Sequence, residues 1–179
     1  MFDASEVVAY WRAAGYEKWF ARDDAFDAEL RRRFSEAHFA ASTCSLEHWV
    51  DDAQGALALL ILLDQFPRNA YRKSAHAYAT DPLARHYAER AIAAGFDLAV
   101  APELRVFFYL PFEHSEEMAD QQCAVALTTA LGDVNYTRYA IAHRDVIARF
   151  GRFPHRNAAL GRANTPEEQA WLDAGGGFG

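Results

Sequence analysis

Asp64, Arg68, Asn69 and Arg72 follow directly on the most apolar run of the chain, Ala56-Leu57-Ala58-Leu59-Leu60-Ile61-Leu62-Leu63. A carboxylate at the carboxyl end of a buried helix meets the negative end of the helix dipole, at a cost on the order of 0.5 kcal/mol. Something must offset it. Two readings stand side by side: Arg68 or Arg72 closes the helix end as a local ion pair, or the four residues form one wall of a polar pocket whose guanidinium groups grip a carboxylate or phosphate.

A second group, Arg105, Tyr109, Glu113, His114, Glu116, Glu117 and Gln121, surrounds Pro111. His114, Glu117 and Gln121 fall at i, i+3 and i+7 and can share one helix face. Glu116 and Glu117 suit the first turn of a helix, where negative charge is favoured in any case. An imidazole beside carboxylates at a helix start, as at His114, suits a general base, an anion donor or a structural cap. The third group is His143, Arg144 and Asp145, followed by Arg149, Arg152, His155, Arg156 and Asn157. Arg144 and Arg149 complement a helix carboxyl end. Phe153-Pro154-His155-Arg156-Asn157, in contrast, is long and cationic for a plain connection, and such loops carry function as readily as structure.

Other chemistries lack their motifs. The spacing of His114, Glu117 and His143 matches neither HExxH nor the Glu-x-x-His pattern of di-iron bundles, so no metal site is expected. There is no GxSxG elbow and no glycine-rich phosphate loop. Any cofactor stays unnamed. Cys44 and Cys123 stand singly, without a CxxC spacing, and read as small core residues of a reducing compartment.

The elements that must position these groups read as helices throughout. Ser5 can cap a first helix that stops at Gly15, and Asp23 or Asp24 opens a second with Phe26, Leu30 and Phe34 on one face. Asp51 or Asp52 caps the apolar third helix, which should end near Pro67. Asp81-Pro82 opens a helix that runs to Gly95, and Pro102 opens a short one that Pro111 ends. Ser115 should cap a long helix to Gly132. Val134 to Phe150 is the next, closed by Gly151, and Thr165-Pro166-Glu167-Glu168 is a capping box. No segment alternates with period two, so the fold class is all-α, one domain over residues 1–174 with a glycine-rich stretch, 175–179, expected to fray.

The 179 residues are enough for one continuous core. Twenty-five acids against 18 basic residues, a net charge of -7, leave no broad basic face for nucleic acid. The longest apolar run is too short to span a membrane, and Met1 to Glu6 lacks the pattern of a secretory signal, so the cytoplasm is the expected location. Nothing sets an oligomeric state.

Three runs carry a family resemblance: Leu60-Ile61-Leu62-Leu63-Asp64-Gln65-Phe66-Pro67-Arg68-Asn69-Ala70-Tyr71-Arg72, Phe107-Phe108-Tyr109-Leu110-Pro111-Phe112-Glu113-His114-Ser115-Glu116, and Arg149-Phe150-Gly151-Arg152-Phe153-Pro154-His155-Arg156-Asn157. The chain resembles the bacterial domain-of-unknown-function family 924, from Trp19-Phe20 to the Thr165 box. It departs from the pattern at Lys73, where glycine is common, and at Asn164. The resemblance implies a TPR-like stack of antiparallel helix pairs and transfers no activity, since the family has none assigned. Two functions follow as expectations. In the first, the three groups converge on one pocket for an anionic small molecule, with Arg68, Arg72, Arg105, Arg144 and Arg156 as cations and His114, His143 and Glu117 for proton transfer. The alternative is a TPR-like module that clamps a peptide or protein terminus.

Overall fold

A helix that is apolar on every side has to be enclosed by others. The computed structural model describes residues 2–178 and surrounds the apolar run in this way. Two long helices precede it, α1 (Ala4–Phe20) and α2 (Asp24–Ser42). Asp3 rather than Ser5 caps α1, its Oδ1 accepting the Ser5 backbone N–H at 2.8 Å. Gly15, at φ 74°, kinks α1 instead of ending it, because Glu17 to Phe20 resume the helix and seat Trp19 in the core. Asp23 caps α2 as expected, accepting from Ala25 and Phe26.

Asp52 then caps α3 (Ala53–Leu60), and the helical path runs on through a wide turn, Ile61–Gln65, into α4 (Phe66–Ala70). The expected end at Pro67 is therefore overrun by three residues. α5 (Asp81–Ala93) follows, with Gly95 in the left-handed conformation beyond it. Pro102–Phe108 forms a tight 3-10 helix, and Pro111 lies in the first turn of a short α6 (Leu110–Glu113) instead of closing an element. α7 (Met118–Leu131) starts three residues after Ser115, whose hydroxyl accepts from the Glu117 N–H at 3.2 Å. α8 (Val134–Phe150) and α9 (Pro166–Asp173) match the sequence reading, the latter with both hydrogen bonds of its capping box.

All described elements are helical. α3 packs on α1, α5 and the 3-10 turn Glu47–Asp51, and the α4 segment packs on α2, so contacts gather around one central helix. α7 and α8, joined at Gly132-Asp133, make the tightest pairing of helices. The large core runs from Trp11 and Trp19 through Leu57–Leu63 to Phe107, Phe108 and Ala124. A smaller apolar cluster, Val146, Ile147 and Phe153 with Met118, Phe150, Trp171 and Phe178 against it, lies under the last third of the chain. The polar site described below draws on residues beside both. Cys44, read from sequence as a core residue, is exposed in the turn after α2 at φ 59°, and Cys123 is half-buried. Among the described residues no helix is long and apolar enough to cross a membrane.

Candidate functional site

Pro67 explains how Asp64 is aimed inward. A proline inside a helix removes one backbone hydrogen bond and crowds the carbonyl four residues before it. Here the helix widens over Ile61–Gln65, with the Phe66 N–H donating to the Ile61 carbonyl one residue further back than in an α-helix. The carbonyls ahead of the proline receive side-chain donors from other helices: Leu62 from His38 Nδ1 at 2.8 Å and Leu63 from Thr80 Oγ1 at 2.5 Å. Asp64 sits in this wide turn, 1% exposed.

Four groups surround its carboxylate. His114 Nδ1 donates to Oδ1 at 2.7 Å, Gln65 Nε2 donates to Oδ2 at 2.6 Å, and Arg68 Nη1 lies 3.1 Å from Oδ1. Glu113, the fourth, makes no bond to the carboxylate but lies close enough to feel its charge. Arg68 turns its fork to Asp81, at 2.8 and 2.9 Å, and also donates to the Asp64 carbonyl. Arg156 approaches Asp81 only to 3.5 Å, donates to the His114 carbonyl at 2.9 Å, and lies over the rings of Tyr78 and Phe153 at 4.7 and 4.3 Å. Its Nε is buried without a partner, and so is His155 Nδ1. The His143 ring stands 6.2 Å from that of His114, its Nδ1 donating to the Tyr139 carbonyl at 2.8 Å and lying 3.1 Å from Glu113 Oε1.

These surroundings set the protonation states. Burial alone would raise the Asp64 carboxyl, but Arg68 and His114 outweigh it and hold the group below the usual carboxylate range. Glu113 has no such partner. Burial and the charge of Asp64 push it up to about 8, so it is protonated at neutral pH. Burial and neighbouring His114 hold His143 down to about 3, and burial with Arg156 and Arg68 holds His155 down to about 4. His114 is lowered by burial and Arg68 against the pull of Asp64. The His143–Glu113 contact is therefore one between neutral groups, not an ion pair. Because a carboxylate and a carbonyl only accept, the Nδ1 atoms of His114 and His143 carry the ring protons, and both Nε2 atoms are bare acceptors. Arg156 is pulled down to about 10 by burial and by Arg68.

Comparison with known proteins covers nearly the whole chain. The model of the family described as bacterial protein of unknown function, DUF924, matches residues 7–176. The chain belongs to this family. A solved structure of a protein of unknown function, ATU0120 from Agrobacterium tumefaciens, is 53% identical, superposes with a TM-score of 0.92, and is matched over 96% of this chain and 97% of its own. No curated protein matches.

Within this DUF924 chain the sequence candidates separate. Asp64, Arg68, His114, His143, His155 and Arg156 come together. Asn69 and Arg72 instead hold Asp27 of α2, at 2.7 Å each, as a tie between helices. Tyr109 donates to Asp97 at 2.7 Å. Arg105, whose Nε is buried and unpartnered, lies near that pair. Gln121, fully buried, donates to the carbonyls of Glu113 and Ser115, and Glu117 is exposed at the start of α7. Arg144 pairs with Asp145 on the surface, and Asn157 accepts from Arg162 inside the 152–164 loop.

Sequence reasoning alone does not single out Tyr78, Asp81 or Phe178. Asp81 has a sufficient local explanation as a helix start, and no local pattern marks its distant partners, Arg68 and Arg156. Phe178, in the stretch expected to fray, stacks on the His143 ring at 3.6 Å. Lys73 adopts φ 63°, the conformation glycine would take, which accounts for the glycine common there in the family pattern. A surface hollow of about 550 Å³ lies elsewhere, lined by Tyr16, Trp19, Pro102 and Tyr136 and by none of the clustered residues.

Proposed function

We propose that this protein binds an anionic small molecule at the Arg68–Arg156–His114 cluster, with the guanidinium groups holding the anion and His114 Nε2 accepting a hydrogen bond or a proton from it. The observation that carries this reading is Arg156. It is 5% exposed, its Nε–H has no partner, and Asp81, the carboxylate within 3.5 Å of it, is already engaged in a two-point pair with Arg68. Burying a cation with incomplete hydrogen bonding is costly, and a structural arginine at a well-packed site would have its donors filled. An anion that accepts from Arg156 removes that cost.

The Asp64–His114 pair adds a second capability. A buried carboxylate that fixes the Nδ1–H tautomer leaves Nε2 as a base, the arrangement by which carboxylates orient catalytic imidazoles. The peptide-clamp alternative has less support, because the hollow beside Tyr16 and Trp19 lies away from every clustered cation.

The test is calorimetric titration with inorganic phosphate and with small dicarboxylates, in the wild-type protein and in Arg156→Ala. Saturable binding is expected, weakened at least about tenfold by the substitution, the loss of one charge-assisted contact of roughly 1.5–3 kcal/mol. Equal binding by both proteins, or none by either, would remove the basis of the reading.

A further inference from the structure

Phe178 fills a seat built of aromatic rings. Its ring lies parallel to His143, 3.6 Å between centroids and 15° between planes, with Phe153 edge-on at 6.2 Å and His155 edge-on at 5.6 Å. Val146 and Ile147 back this seat as the buried part of the smaller apolar cluster. Close parallel stacking on one side and edge-on rings on the others leave a slot that fits a flat ring better than a branched aliphatic group. The two unpartnered buried polar atoms of the site adjoin it: His155 belongs to the seat itself, and Arg156 lies over the Phe153 ring that borders it. Ring seat and anion site are thus neighbours.

The segment that delivers Phe178 is held lightly. Gly175 and Gly176 donate to the carbonyls of Leu172 and Trp171, at 2.9 and 3.0 Å, and these are the last backbone hydrogen bonds among the described residues. Gly176 passes so close to Trp171 that a Cβ there would meet the indole at 2.3 Å, and Gly177 at φ 142° needs glycine's freedom and lies against His155. The chain therefore approaches in one defined path, and among the described residues Phe178 is held by its half-buried ring without a backbone hydrogen bond.

We propose that the ligand of this site is an aryl acid, a planar ring joined to a carboxylate or phosphate, and that Phe178 is a built-in plug which the ligand's ring displaces from His143 while its acid group reaches Arg156. This rests on the anion-binding reading above and adds the ring to it. The plug keeps water from His143 when the site is empty, which agrees with the strongly lowered basicity of that imidazole. Displacement by another ring preserves the apolar contact, whereas a ringless anion would leave it either plugged or wet.

Two measurements test this, on wild type, Phe178→Ala and Phe178→Leu, the leucine keeping an apolar cover if the alanine protein is poorly folded. First, NMR titration of the histidines needs no ligand. Removing the Phe178 ring should raise the His143 pKa by about one unit or more while leaving His38, which is remote from the plug, unchanged. An unaltered His143 would show that Phe178 does not cover it. Second, phenyl phosphate and benzoate are compared with inorganic phosphate and acetate. The aryl compounds should bind at least about tenfold more tightly than their ringless counterparts, and Phe178→Ala should strengthen aryl binding several-fold without changing ringless binding. If inorganic phosphate binds in an Arg156-dependent way but the ring adds nothing, the aryl proposal fails and the anion site stands. If no anion binds in any variant, both fall.

Discussion

At the scale of single residues the site is held together by Asp64. Its carboxylate is shared among His114, Arg68 and Gln65 at 2.6 to 3.1 Å, inside a turn that is closed to water. Removing one member of a buried charge pair costs about 3–5 kcal/mol, because the remaining charge stays buried and unmatched. In Asp64→Asn the Arg68 fork still has Asp81, so the expected loss is near 3 kcal/mol, read as a lower urea midpoint at an unchanged slope. The asparagine can also turn its amide N–H toward His114 Nδ1, which would move the ring proton to Nε2. A nitrogen-15 spectrum of His114 should then show the opposite tautomer from wild type. A variant as stable as wild type, with the ring proton still on Nδ1, would mean that Asp64 neither balances the charge nor sets the tautomer.

At the scale of elements, the wide turn over Ile61–Gln65 depends on donors from far along the chain. Thr80 Oγ1 serves the Leu63 carbonyl from 17 residues away and His38 serves Leu62 from 24. Thr80→Val keeps the shape and removes the donor, so a buried carbonyl is left short of a partner at a cost of about 1–3 kcal/mol. Because the same turn aims Asp64, phosphate binding should weaken as well. Loss of stability with intact binding would separate the turn from the site. This dependence also explains what was legible in the sequence. The limits of α8 follow from Asp133 and Gly151, and those of α9 from the Thr165 box, because caps and stops act within a turn or two. The end at Pro67 was misread because what lets the helix continue past a proline is supplied by His38 and Thr80, and no local pattern records it. The same locality divides the site: His114, Arg68 and Arg156 stand out as charges at element junctions, whereas Asn69 and Arg72 looked equivalent until Asp27 of α2 claimed them. Asp81 was hidden behind its adequate role at a helix start.

At the scale of the whole molecule, the site makes stability depend on pH in two opposed ways. Glu113 titrates near 8 when folded against an ordinary 4.5. The folded chain therefore holds one more proton than the unfolded chain in that window, so the stability present below 4.5 is lost as pH rises through 8. His143 and His155 titrate near 3 and 4 against an ordinary 6.5. Here the unfolded chain binds the extra protons, and stability present above 6.5 is lost as pH falls toward those values. Each mismatched group contributes a slope of about 1.4 kcal/mol per pH unit inside its window. Between 4.5 and 6.5 the two imidazoles outweigh the one carboxyl and stability climbs with pH. Above 6.5 Glu113 acts alone and stability declines by about 2 kcal/mol up to pH 8. The expected curve of unfolding free energy has its maximum close to pH 6.5. Glu113→Gln keeps a neutral, similarly shaped side chain beside His143 and has no proton to lose, so its curve should run parallel to wild type below about pH 4.5 and stay level from 6.5 to 8. Urea midpoints measured across that range decide the matter: a wild-type curve already level above 6.5, or a decline that survives in Glu113→Gln, would mean that Glu113 is ionised in the folded protein and that its contact with His143 is an ion pair after all.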